Sequence, residues 1–210
     1  MLYTHMLRTA IVLGVFALIS AWLVAITFDI TKDPIAVSEK KALLRNLHQL
    51  IPPELHDNEL FNDVITVQDQ AFLGTTKSRR VFRARNKNQP TALAIESVAP
   101  DGYSGNIFLL IAIRYDGSLL GVRVSRHKET PGLGDAIEIE RSNWISSFNN
   151  KSLDNTPNKA WQVEKDGGEF DQFTGATITP RAIVKAVHRT LLYYHQHRDS
   201  LFADSNKQEG

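Results

Sequence analysis

Two short stretches of the chain concentrate residues able to do chemistry. The first is TGATIT, Thr174 to Thr179, inside DQFTGATITPRAIVKAV. Three hydroxyls surround a Gly-Ala pair, and Pro180 follows. Thr179 and Pro180 read as the cap and first turn of a last helix. Thr177 then falls just upstream of that helix. The unpaired N–H groups and the dipole of a helix start favour an anion at such a position. Gly175 and Ala176 leave room for a large group to approach the backbone. The second stretch is RHKETPGLGD, Arg126 to Asp135. It packs charge, a Pro-Gly turn and a second glycine between a strand and a helical pattern. Read alone, each stretch also fits plain structure: a capped turn in the first, a surface turn with a capping Asp135 in the second.

Other chemistries fail on residue type or spacing. GYSG at Gly102 to Gly105 lacks the G-x-S-x-G spacing of a nucleophile elbow. PGLG lacks the third glycine of a dinucleotide loop. His127 and Glu129 resemble the H-x-E of zinc deaminases, but the chain has no cysteine, so thiolate metal sites and cysteine nucleophiles are excluded with it. No metal site is expected. The net charge of +1 argues against a nucleic-acid partner. The basic run Lys77 to Lys87 alternates from Arg79 to Arg85 like the wet face of a strand.

The elements that must hold these loops are legible. Residues 9–28, TAIVLGVFALISAWLVAITF, carry no charge and are long enough to span a bilayer as an uncleaved helical anchor. Asp33-Pro34 reads as the start of a separate helix with an apolar stripe from Ala36 to Ile51, ended by Pro52-Pro53. Strands are expected at Val81–Arg85 and Leu93–Val98. NIFLLIAIRY-DG-SLLGVRVS reads as a hairpin with a type I′ turn at Asp116-Gly117. Helical spacing returns over Asp135–Phe148, and Trp161–Glu164 suits a short strand. Pro180–His197 is expected as a last helix whose apolar face is Ile183, Val184, Val187, Leu191 and Tyr194. The class is α+β: a single N-terminal transmembrane helix, then a domain of antiparallel sheet with flanking helices. The expected divisions are a short N-terminus (1–8), the anchor (9–28), a juxtamembrane helix and linker (29–53), the domain (54–202) and a disordered tail (203–210).

GYSGNI, HKETPGLG and D-x-x-T-G-A-T, together with the anchor, carry a resemblance over essentially the whole chain. The chain resembles the G subunit of the Rnf (Rsx) ion-translocating electron-transport complex, and the related C subunit of the sodium-pumping NADH:quinone reductase. The resemblance implies an FMN-binding domain with FMN attached covalently, by a phosphoester to the last threonine of D-x-x-[ST]-G-A-T. That threonine is Thr177 here, with Asp171, Thr174, Gly175 and Ala176 at the other motif positions. Gln172 departs from the glycine often found after the aspartate. Glu129, Thr130, Leu133 and Gly134, with Tyr103 and Ser104, are expected to line the pocket, or else to hold the shape of their loops.

By this resemblance the chain is a flavoprotein subunit of an ion-translocating oxidoreductase. It would carry electrons between neighbouring redox subunits of a membrane complex, with no turnover of its own. A separate flavin transferase would install the FMN. The domain would face the periplasm from the bacterial inner membrane. Charge counting points the other way: Lys32, Lys40, Lys41 and Arg45 follow the anchor while only Arg8 and the amine precede it. Long domains cross membranes largely regardless of such counts. The alternatives are an anchored sensor with a reversible ligand in the same loops, and an assembly subunit without a redox role.

Overall fold

The computed structural model describes residues 2–203. The tail expected at 203–210 lies, but for Ala203, outside the described residues. The chain forms two compact units, one to Leu44 and one from Arg45 onward.

Helix α1 runs Leu2–Leu50 without a break. The separate start expected at Asp33-Pro34 is absent, and Pro34 lies inside the helix. The missing N–H removes one hydrogen bond, and the winding continues through it on both sides. Val12, Leu13, Phe16, Leu18 and Trp22 are all exposed around the first half. An apolar surface on every side is what a helix in lipid shows, and α1 is long and apolar enough to cross a membrane.

The second unit is built on one antiparallel sheet whose strands follow chain order: β1 (Val64–Val67), β2 (Arg79–Asn86), β3 (Gln89–Gly102), β4 (Gly105–Arg114) and β5 (Leu119–Arg126). A one-turn helix α2 (Gln70–Leu73), capped by the Asp69 side chain, joins β1 to β2. The long C-terminal helix α3 (Ile178–Phe202) covers one face. The alternation of β4 explains the core. Ile107, Leu109, Ile111 and Ile113 point to α3 and meet Ile183, Val184, Val187, Leu191 and Tyr194, all buried as the periodicity predicts. Leu47, Leu50 and Ile51 are buried too, with Leu50 against Gly121 on β5. Only this last part of the expected juxtamembrane stripe is buried, and Val37 is exposed.

Turn chemistry departs from expectation. The type I′ conformation, with two left-handed residues, occurs at Lys87 and Asn88 between β2 and β3. At Asp116-Gly117 only Gly117 is left-handed, and the loop is a three-residue turn closed by Gly117 N–H to Arg114 O. Asp116 instead accepts the N–H and hydroxyl of Ser118, and the backbone bond first of all holds its carboxyl below the usual range. The helix expected over Asp135–Phe148 is two short 3₁₀ turns, Gly134–Ile137 and Trp144–Phe148. Ser142 breaks it: its hydroxyl donates to Ala136 O and accepts from Trp144 N, diverting the backbone. The strand expected at Trp161–Glu164 reduces to one bridge, Val163 with Phe170.

The basic run is the clearest correction. Arg80 is exposed and pairs with Glu96, but Arg83 and Arg85 are only 5% and 8% exposed. Val81 packs under α3 while Phe82 packs on Phe61, with ring centroids 5.4 Å apart. Both faces of β2 are covered, so the alternation leaves no wet face.

His188 on α3 lies flat on Trp161, with centroids 5.2 Å and planes 6° apart. Burial pushes its pKa below the ordinary 6.5. A histidine kept neutral in the fold takes up its proton more readily when unfolded. Its contribution to stability is therefore complete above about pH 6.5 and lost progressively as pH falls below that value. Melting the full chain in detergent from pH 8 to pH 5 should show this loss, and His188→Gln should flatten that part of the profile.

Candidate functional site

Helix α3 begins two residues earlier than the sequence suggests, and that shift changes the role of every hydroxyl. Ile178 is the first helical residue and Thr177 occupies the cap position, at φ −70° and ψ −26°. This αR backbone does not aim its side chain at the free N–H groups, and Thr177 makes no side-chain capping bond. Its hydroxyl is therefore left for something else. Pro180 lies within the first turn, where a missing N–H costs little. Thr179, expected as the cap, is fully buried, and its hydroxyl donates to the Glu129 carboxylate.

Ahead of Thr177 the chain makes a tight turn, with Ala176 N–H bonded to Phe173 O at 3.1 Å. Gly175 sits third in this turn at φ 82°. A Cβ at Gly175 would meet only Leu133 Cδ2, at an ordinary 3.7 Å. The glycine is thus required for its left-handed backbone rather than for clearance. Trp144 fixes the start of the motif: its Nε1 donates to Asp171 O at 2.9 Å, and its ring packs edge-on against Phe173. Nothing in the sequence alone tied Trp144 to this loop.

Glu129 joins the predicted loops. It is 4% exposed. One carboxylate oxygen accepts the Ser104 N–H at 2.9 Å and the other accepts the Thr179 hydroxyl. Its own N–H donates to His127 Nδ1 at 3.1 Å, which leaves Nε2 to carry the proton toward Glu138 at 2.8 Å. Gly134 is buried against this group. A Cβ there would stand 2.8 Å from Glu129 Cβ and 3.2 Å from Thr179 Oγ1, so only glycine fits.

The remaining predicted residues lie at the surface. Tyr103 and Leu133 are 69% and 48% exposed, and Ile178, which the sequence reading did not single out, is 46% exposed. Among the described residues from Arg45 onward, only Tyr115 joins them as an exposed large apolar residue. All three come from segments joined at Glu129 or flanking Thr177. Thr130, Asp171 and Thr174 are exposed. The carboxylate of Asp171 has no hydrogen bond or ion pair among the described residues, and only its backbone is engaged. The structure therefore gathers Ser104, Glu129, Gly134 and the first turn of α3 by direct contact, with Leu133 beside Gly175.

Comparison with known proteins gives this arrangement a family. Residues 102–192 match the FMN-binding domain, and residues 1–50 match the RnfG N-terminal region. The chain is similar to the G subunit of the ion-translocating oxidoreductase complex of Shewanella piezotolerans, 48% identical over 94% of this chain and 93% of the relative. Its identity to the corresponding protein of Shewanella amazonensis is 51%, over 89% and 87% of the two chains. For Vibrio cholerae the figures are 46% identity and 99% of each chain. The chain belongs to this G-subunit family. The FMN-binding span of this family member opens at Gly102, the last residue of β3, and contains Ser104, Glu129, Gly134, Thr177 and Thr179. The groups joined at Glu129 thus all fall within the matched domain, and α1 coincides with the matched N-terminal region.

Proposed function

We propose that this chain is the flavoprotein subunit of a membrane oxidoreductase complex, carrying electrons through an FMN esterified to Thr177 while the complex moves ions. The observation that carries the reading is the Thr177 hydroxyl. It stands at the N-terminal end of a 25-residue helix, outside the capping role its position offers. A phosphodiester keeps one negative charge, and the positive helix end favours it there. The exposed turn at Thr174 and Gly175 leaves the hydroxyl approachable, and Tyr103, Leu133 and Ile178 supply exposed apolar area for a flat ring. FMN supplies the redox chemistry, and the chain supplies position.

Threonine is a weak nucleophile, so attachment needs a transferase and an activated donor. With a flavin dinucleotide as donor, the Thr177 Oγ–P bond forms as the pyrophosphate P–O bond breaks. AMP leaves, and the hydroxyl proton passes to the transferase. In this reading the domain lies on the periplasmic side of the bacterial inner membrane, with the transferase and the other subunits of the complex as partners, and the family resemblance supports it.

The deciding experiment is to produce the full chain with its flavin transferase, denature it, and look for flavin fluorescence on the gel band. Peptide mapping should find the mass of FMN less water on Thr177. Fluorescence that disappears on denaturation, or a mass on another residue, rejects the attachment.

A further inference from the structure

A buried carboxylate needs donors, and Glu129 finds them in two distant segments: the Ser104 backbone after β3 and the Thr179 hydroxyl in the first turn of α3. It has no cationic partner among the described residues. Burial without a cation is tolerable only when both oxygens are bonded, so the three segments are held together or not at all. Thr179 is two residues from Thr177, and Gly134 closes over the contact with no room for a side chain. His127, itself held by Glu138, fixes the Glu129 backbone from behind.

The geometry points to Glu129 as the positioning residue of the attachment turn. Through Thr179 it sets the start of α3, and so the backbone that presents the Thr177 hydroxyl to the transferase. The inference rests on the proposed attachment for its biochemical consequence, but the latch itself is a property of this chain. Glu129 touches no reacting atom. Without it the turn samples other conformations, and the transferase meets a smaller competent fraction. The apparent affinity falls by that fraction while the rate at saturation is retained.

The test uses the full chain in detergent, a flavin transferase and flavin dinucleotide, with Glu129→Ala, Glu129→Gln and Thr179→Val. Glu129→Ala and Thr179→Val should raise the KM for the chain about tenfold with kcat within about twofold, the pattern of a depopulated competent state. Amide exchange over 174–179 should speed up by a similar factor in the same two variants. Glu129→Gln should label as wild type, since its amide can accept from Ser104 and donate to Thr179. Wild-type KM in Glu129→Ala, a Gln variant as impaired as the Ala variant, or unchanged exchange over 174–179 overturns the inference. If Glu129→Ala fails to fold, Thr179→Val carries the same comparison. If wild type takes no flavin on Thr177, the proposed function fails, and the exchange comparison still decides the latch.

Discussion

Thr177→Val should abolish covalent flavin while leaving the fold intact. The two side chains match in shape, and the αR backbone at 177 suits both. Removing a threonine that caps a helix costs roughly 0.5–2 kcal/mol. Thr177 makes no such bond, so its replacement should change stability by no more than about 0.5 kcal/mol. The whole effect then falls on chemistry: no hydroxyl, no ester. Thr177→Ser should still be labelled, more slowly, because the serine hydroxyl is less restricted in χ1. Thr174→Val should label like wild type, since Thr174 is an exposed turn residue away from the helix start. In-gel fluorescence after denaturation reads all three, and melting temperature separates loss of ester from loss of fold. A fluorescent Thr177→Val band would move the attachment elsewhere. A sensor with a reversible ligand would leave every band dark, and an assembly subunit would keep complex activity in Thr177→Val.

What was legible in the sequence follows periodicity. The α3 face from Ile183 to Tyr194 and the paired strands around Asp116-Gly117 repeat their apolar residues at 3.6 and 2.0, and both are present. The apolar spacing of Ile137, Trp144, Ile145 and Phe148 misleads for a physical reason. Two 3₁₀ turns bury the same four residues as one helix would, and the Ser142 hydroxyl decides between them. The arginines of β2 misled because alternation says which side chains share a face, not whether that face is wet. Here Val81 and Phe82 show that both faces are covered.

The site divides along the same line. TGATIT and HKETPGLG stand out by composition, and the helix start beside Thr177 follows from Pro180. Contact between them does not. Glu129 and Thr179 are 50 residues apart, and neither residue type announces the other. The two-residue shift in the start of α3 is below what pattern can fix, yet it moves Thr179 from cap to buried partner and frees Thr177. Trp144 was equally invisible, because its donor reaches the backbone of Asp171, and a backbone acceptor leaves no mark on sequence.

The second large effect lies at the far end of α3. Arg83 Nε donates to Asp63 Oδ1 at 2.5 Å and Arg85 Nε to Oδ2 at 2.8 Å. The same guanidiniums reach the last carbonyls of the helix: Arg83 Nη1 to Ala203 O at 2.6 Å and Arg85 Nη2 to Phe202 O at 2.8 Å. Two buried cations thus share one carboxylate and tie the C-terminal end of α3, where positive charge is favoured, to β2. Asp63→Ala removes the shared anion and leaves both cations in place. Breaking a buried pair from one side costs about 3 kcal/mol or more. For a unit of this size that is a fall of roughly 10 °C in melting temperature. Asp63→Asn keeps one acceptor oxygen and should lose about half as much. The clamp stands about 35 Å along α3 from Thr177, at roughly 1.5 Å per residue. Flavin labelling measured well below the melting point should therefore be unchanged in both variants. A melting temperature within about 2 °C of wild type in Asp63→Ala would mean that the remaining contacts of the two arginines, the helix carbonyls among them, satisfy them. Labelling that fell in step with stability would mean that order at the end of α3 reaches its start, and the attachment turn would no longer be a local device.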